Sequence, residues 1–345
     1  MVVFATTFHS TYGQTVVKLQ YQRVLDSLKK EIYKENGSFK KAVFLTENVA
    51  MGNALSYNKF DSTIQRLAHN VNIMASYLHP VQYKYADSIN LKKNYAIFKL
   101  LKDTTKIYIS TDTVGLHLPY SYDFEDFSGK KDWFNMFVTK LLATQSGNCH
   151  SLPYLYKILA DETCADCWIS MAPGHLYIKN RCKKTGWYNT ELTSGQFPTD
   201  AWIMASGYLP ISAVKTGTYM DTLSNRQAIG LCILDLAKEY EFQTKNYYDG
   251  FIIECCDLVL QYHSQNVQAI LLKAETLKRI YENIATLDNH AAIIHNNMQQ
   301  LYLKLLDLGY REMPEKMYQQ WLQSINKEKN KYTNEQLSTI NGDQP

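Results

Sequence analysis

The apolar residues of this chain change their period twice. From about 15 to 100 they recur every three or four positions, as in "VVKLQYQRVLDSLKKEIY", where Val17, Tyr21, Val24, Leu25, Leu28 and Ile32 mark one helical face before Asn36-Gly37 ends it. "FDSTIQRLAHNVNIMASYL" repeats the pattern through Ile64, Leu67, Val71, Met74 and Leu78. Between about 101 and 210 the character is different. "TKIYIST" alternates like a short strand and "KDWFNMFVTKLL" reads as a helix. "CWISMA", "HLYIKN" and "GWYNTEL" then follow as three short runs, broken by Pro173-Gly174 and Lys184-Thr185-Gly186. From about 220 the helical period returns. A helix followed by antiparallel strands, flanked by helices on both sides, defines an α+β chain.

Five segments follow from this. Residues 1–14, "MVVFATTFHSTYGQ", resemble the remnant of a secretory signal without a basic start, so export to a periplasm is expected, with the cytoplasm as the alternative. Residues 15–100 form an N-terminal helical region and 101–210 the mixed core. In 220–325, Tyr262 to Asn266 and the spacing of Ala269 to Ala274 echo a helix-turn-helix repeat of about 34 residues, giving a tetratricopeptide-like region or a generic helical bundle. Residues 326–345 are polar and are expected to be a disordered tail.

Composition excludes several classes of function. Thirty-six basic and 33 acidic side chains leave a net charge of +3, with the basic residues spread along the chain apart from short pairs such as Lys29-Lys30 and Lys183-Lys184, so no nucleic-acid partner is indicated. No apolar run approaches the ~20 residues of a membrane span. Seven cysteines lack the density of a disulfide scaffold. Cys164, Cys167 and Cys182 are a conceivable thiolate set, but a lone CxxC is a weak zinc signal, and neither metal nor cofactor is expected. Cys232, Cys255 and Cys256 lie in apolar helical runs and read as core residues.

The chemistry concentrates in "QSGNCHSLPYLYKILADE", residues 145–162. Leu152, Leu155, Ile158 and Leu159 predict a helix with one buried face. Pro153 has no N–H to give the Cys149 carbonyl, which places the thiol at or just before the first turn. Free N–H groups and the positive end of the helix dipole favour thiolate there. His175 opens the next strand but one, just after the Pro173-Gly174 turn. On the strand after it, Trp187, Asn189 and Glu191 share a face. Either Asn189 or Glu191 can orient the histidine, which would serve as base to the thiol.

"GNCHSLPYLYKILADE … APGHLYIK … GWYNTEL" resembles the transglutaminase-like superfamily over about 120–210. The matching pieces are a G-x-C helix start, a histidine strand and a tryptophan-led strand ending in an acid four residues later. Glutamate stands at 191 where aspartate is usual, and Leu176 stands where an aromatic residue is usual. The resemblance implies a papain-like core of helix plus antiparallel sheet, with Cys149 as nucleophile, His175 as base and Glu191 as orienting acid. Asn189 is the alternative orienter. The Cys149 N–H, with Gln145 or Trp133, is the expected oxyanion site. The implied activity is cysteine-dependent chemistry on amide bonds of a protein or peptide (peptidase, deamidase or acyl transferase), with the C-terminal helices holding a protein partner. The alternative is an inactive binding scaffold.

Overall fold

The computed structural model describes residues 4–80, 83–108, 113–284, 289–312, 314–328, 334 and 337. Helices α1 (Phe4–Tyr33), α2 (Phe39–Ala50), α3 (Tyr57–Tyr77) and α4 (Ser88–Lys102) come first. Strands β1 (Thr105–Tyr108), β2 (Val114–His117) and β3 (Ser121–Tyr122) follow. A 3-10 turn at Trp133–Met136 then leads into α5 (Val138–Thr144), β4 (Ser146–Gly147) and α6 (Ser151–Glu162). Next are β5 (Trp168–Ala172), β6 (His175–Cys182) and β7 (Gly186–Thr190), then α7 (Asp200–Ser206) and α8 (Ile211–Lys215). The chain continues in α9 (Asn225–Thr244), α10 (Phe251–Tyr262), α11 (Val267–Asn283), α12 (Asn289–Asp307) and α13 (Glu315–Glu328). Helices with small sheets make the chain α+β in the general sense. Among the described residues no helix is long and apolar enough to cross a membrane.

Two compact units divide these elements. One combines 1–55 with 215–218 and 223–310. In it α9 to α12 pack in succession, and α1 and α2 lie against α9. Tyr21 of α1 meets Tyr240 and Phe251 edge-on at 5.2 and 6.0 Å, and Thr46 of α2 donates to the Cys232 carbonyl at 3.1 Å. Residues 15–100 are therefore not one region, because α1 and α2 join the later helices while α3 and α4 belong to the other unit. The physical reason is that helical periodicity shows that a face is apolar but not which face covers it.

The other unit holds 56–214, 219–222 and 311–345, and so takes α13 away from the expected 220–325 region. Its centre is α6, buried at every position from Ser151 to Ala160. Helices α3, α4 and α5 and strands β5 and β6 pack around it. The sheet runs β5-β6-β7, all antiparallel. Ala172 pairs with His175 across the Pro173-Gly174 turn, where Gly174 takes the left-handed φ of 64° that this turn requires. Strands β3 and β4 pair in parallel, Tyr122 beside Gly147, and so hold the approach to Cys149.

Two of the terminal expectations meet the structure only in part. Helix α1 starts at Phe4, within the signal-like stretch, and residues 1–3 lie outside the described residues. Most of 326–345 also lies outside them. The parts that are described are ordered structure rather than a free tail: α13 reaches Glu328, Asn334 donates its N–H to the Phe197 carbonyl at 2.9 Å, and Leu337 is fully buried.

Candidate active site

Cys149 is held by the turn that starts α6. The Asn148 side chain accepts from the N–H groups of His150 (2.9 Å) and Ser151 (3.3 Å), and the Leu152 N–H reaches the Asn148 carbonyl at 3.2 Å. Asn148 thus acts as the cap, and the thiol sits in the first turn. Gly147 is required just before it. A Cβ there would come within 2.3 Å of Ser151 Oγ and 2.9 Å of Leu141, and Ser151 Oγ is already committed to the Asn135 carbonyl at 2.9 Å.

Strands β6 and β7 supply the partners. The β6–β7 register puts Ile178 opposite Thr190, so Glu191 falls one step beyond, on the face that carries His175 and diagonal to it. The longer glutamate side chain spans that diagonal. His175 Nε2–H donates to Glu191 Oε2 at 2.6 Å, and the other carboxylate oxygen accepts the Thr193 N–H at 2.8 Å. Both side chains are buried.

The charges on these groups support one another. Burial alone would push the Cys149 thiol up, but the His175 ring, the Tyr318 hydroxyl and the nearby His150 outweigh it and leave the thiol below its ordinary value. Burial disfavours a charged His175, yet Glu191 and the Cys149 sulfur raise it well above that of a free histidine. Glu191 is lowered despite its burial, by His175 and Thr193. All three shifts favour a thiolate–imidazolium pair backed by a carboxylate.

The remaining sequence candidates stand elsewhere. Asn189 pairs with Lys179 on β6, and its amide donates to the Pro198 carbonyl at 3.0 Å and to Asp200 at 2.7 Å. It therefore braces the β7 end rather than orienting His175. Gln145 takes the left-handed cap of α5, and its carbonyl accepts the Ser121 N–H at 2.8 Å. Its role in this structure is a backbone one. Cys164 is exposed while Cys167 and Cys182 are buried, and the Cys182 sulfur meets the Thr185 hydroxyl at 3.0 Å. Among the described residues no three metal-ligating side chains come together.

Sequence reasoning missed three aromatic residues. Tyr318 of α13 places its hydroxyl 3.4 Å from Cys149 Sγ and 3.2 Å from His175 Nδ1, with its ring stacked on Phe127 at 4.7 Å. Trp321 packs edge-on against the His175 ring at 4.9 Å and beside Trp202 at 6.1 Å. Its Nε1–H is buried and finds no acceptor among the described residues, which costs about 1–3 kcal/mol. A cavity of about 10 Å³, room for about one water, lies between Pro173, His175, Glu191, Trp202, Gly207 and Trp321. Tyr122 of β3 is buried near Cys149 and Tyr318, and its hydroxyl has no geometrically formed hydrogen bond among the described residues. Burial, then the neighbouring Cys149 charge, raise its phenol far above the ordinary value, so it stays a neutral donor. The one signal for Tyr318 and Trp321 was the three-to-four spacing of the apolar and aromatic residues Met317, Tyr318, Trp321, Leu322 and Ile325 in a helix polar elsewhere.

Comparison with family models, with curated proteins and with solved structures gives no match to this chain.

Proposed function

We propose that this protein is a cysteine-dependent enzyme acting on amide bonds of a protein or peptide, of the transglutaminase-like kind that its motifs resemble. The observation that carries the reading is the buried line from the Cys149 sulfur through the His175 ring to the Glu191 carboxylate, closed by the 2.6 Å contact.

The Cys149 thiolate attacks the amide carbonyl carbon and forms a C–S bond. Charge that gathers on the carbonyl oxygen is met by the Cys149 N–H and the neutral Tyr122 hydroxyl. His175 Nδ1–H gives its proton to the amine nitrogen as the C–N bond breaks. Glu191 holds Nε2–H, which fixes the tautomer and steadies the imidazolium. Water or a second amine then attacks the thioester, with His175 taking the incoming proton, and the thiolate returns.

The test is thiolate ultraviolet absorbance against pH, with Cys149→Ala as blank, followed by mass analysis of the adduct formed with an activated ester. A low titration point and an acyl group mapped to Cys149 are expected. A thiol that titrates as a free cysteine and takes no acyl group would defeat the reading. A non-catalytic scaffold is the second reading, favoured by the burial of Cys149, and it leaves the lowered thiol without a purpose.

A further inference from the structure

A scissile amide must bring its carbonyl carbon to the attacking sulfur and its nitrogen to the proton donor, so the group that reacts sits between the Cys149 sulfur and His175 Nδ1. In this structure that point is filled by the Tyr318 hydroxyl, at 3.4 Å from Cys149 Sγ and 3.2 Å from His175 Nδ1. With His175 charged, Nδ1–H donates to Tyr318 Oη, and the Tyr318 O–H in turn donates to the sulfur. The phenol thus stands in the path of the proton that the reaction must move.

Trp321 lies three residues along the same face of α13. It sits over His175 and against the wall formed by Pro173, Trp202 and Gly207. Its buried indole N–H finds no acceptor among the described residues, which makes it an imperfect permanent occupant of that seat. On either side of the helix the chain is tied to the same unit. The Arg311 N–H donates to the Tyr219 hydroxyl at 3.4 Å, Asn334 bonds to Phe197, and Leu337 is buried. Helix α13 is therefore held on both sides, at Arg311 and at Asn334 and Leu337, by contacts separate from the two aromatic residues.

We propose that α13 is an intramolecular pseudosubstrate: Tyr318 occupies the place of the reacting group, Trp321 fills the subsite for an aromatic side chain of a polypeptide substrate, and the helix must leave before the enzyme can act. This rests on the catalytic reading of the site. No covalent step is added to it, and the device exchanges one set of contacts for another. A polypeptide competes for the cleft by offering an aromatic residue beside its scissile amide. The displaced helix stays tethered at Arg311 and is ready to return.

The test is iodoacetamide alkylation of Cys149 in the full chain, followed by peptide mapping, for wild type, Trp321→Ala and Tyr318→Ala/Trp321→Ala. If wild type reacts only through a minor open state, the double variant should alkylate about tenfold faster or more. The single variant, which leaves the better-buried Tyr318 in place, should lie between, and it decides the matter if the double variant loses its cooperative melt. In the uncovered protein a synthetic peptide spanning Pro314 to Glu328 should protect Cys149. The same peptide with alanine in place of its tyrosine and tryptophan should not. Equal alkylation rates in wild type and in a folded Trp321→Ala protein overturn the proposal, as does equal protection by both peptides. Adding His175→Ala to the uncovered protein separates the two readings. A fast alkylation whose pH inflection ignores that change ends the catalytic reading while leaving α13 as a cover.

Discussion

His175 and Glu191 meet at 2.6 Å although Glu191 lies one residue past the end of β7. The contact is possible because the β6–β7 register places Glu191 diagonal to His175 on the same face, and the extra methylene of glutamate spans the offset. The Thr193 N–H holds the second carboxylate oxygen, so the acid cannot swing away without losing a bond. The pair is buried, so its electrostatics are little screened by salt.

The pH behaviour of the thiol follows with a definite sign. Cys149 is lowered in the folded protein, so its thiolate persists below the ~8.5 of a free cysteine and disappears only as pH falls through the lowered value. His175 is raised, so its charge lasts until pH climbs through the raised value. The ion pair occupies the window between them. Thiolate absorbance should therefore inflect below the free-cysteine value in wild type, and His175→Ala should move the inflection upward. Identical curves for the two proteins would contradict the coupling.

Glu191→Gln keeps the size of the side chain and removes its charge. His175 should lose much of its elevation, and the Cys149 inflection should rise in turn. Asn189→Ala should leave that inflection in place, since its amide is committed to Pro198 and Asp200. The same absorbance titration reads both, and the opposite ranking would make the amide the orienting group.

Gly147→Ala forces a methyl group onto Ser151 Oγ and Leu141. Overpacking of this kind costs about 1–3 kcal/mol, seen as a lower melting temperature. Because Ser151 also anchors the turn to Asn135, the Cys149 inflection should move towards that of a free thiol in the surviving folded protein. A variant with wild-type melting and titration would show that the turn has more room than its contacts indicate.

Tyr122→Phe removes one hydroxyl near the sulfur and leaves the ring. If that hydroxyl meets the developing oxyanion, reversible capture of a peptide aldehyde as a tetrahedral adduct should weaken by about 10²–10³-fold. Alkylation by iodoacetamide forms no oxyanion and should change little. Equal losses in both assays would assign Tyr122 to structure instead.

The sequence alone carried the groups that interact over short stretches. Pro153 set the Cys149 turn, Pro173-Gly174 set the hairpin that presents His175, and strand alternation put Glu191 on a facing side. Each of these depends on bond geometry, or on partners 16 or fewer residues apart, and leaves a local mark in the residues. The choice between Asn189 and Glu191 was not local, because it turned on register and on what lay beyond β7. Tyr318 reaches Cys149 across 169 residues and His175 across 143, and α1 finds its cover in α9 and α10. An apolar face or a pair of aromatic residues announces only that something will bury it. Which surface does so is decided by the packing of the whole unit, where close-packed volumes admit one arrangement and exclude the rest.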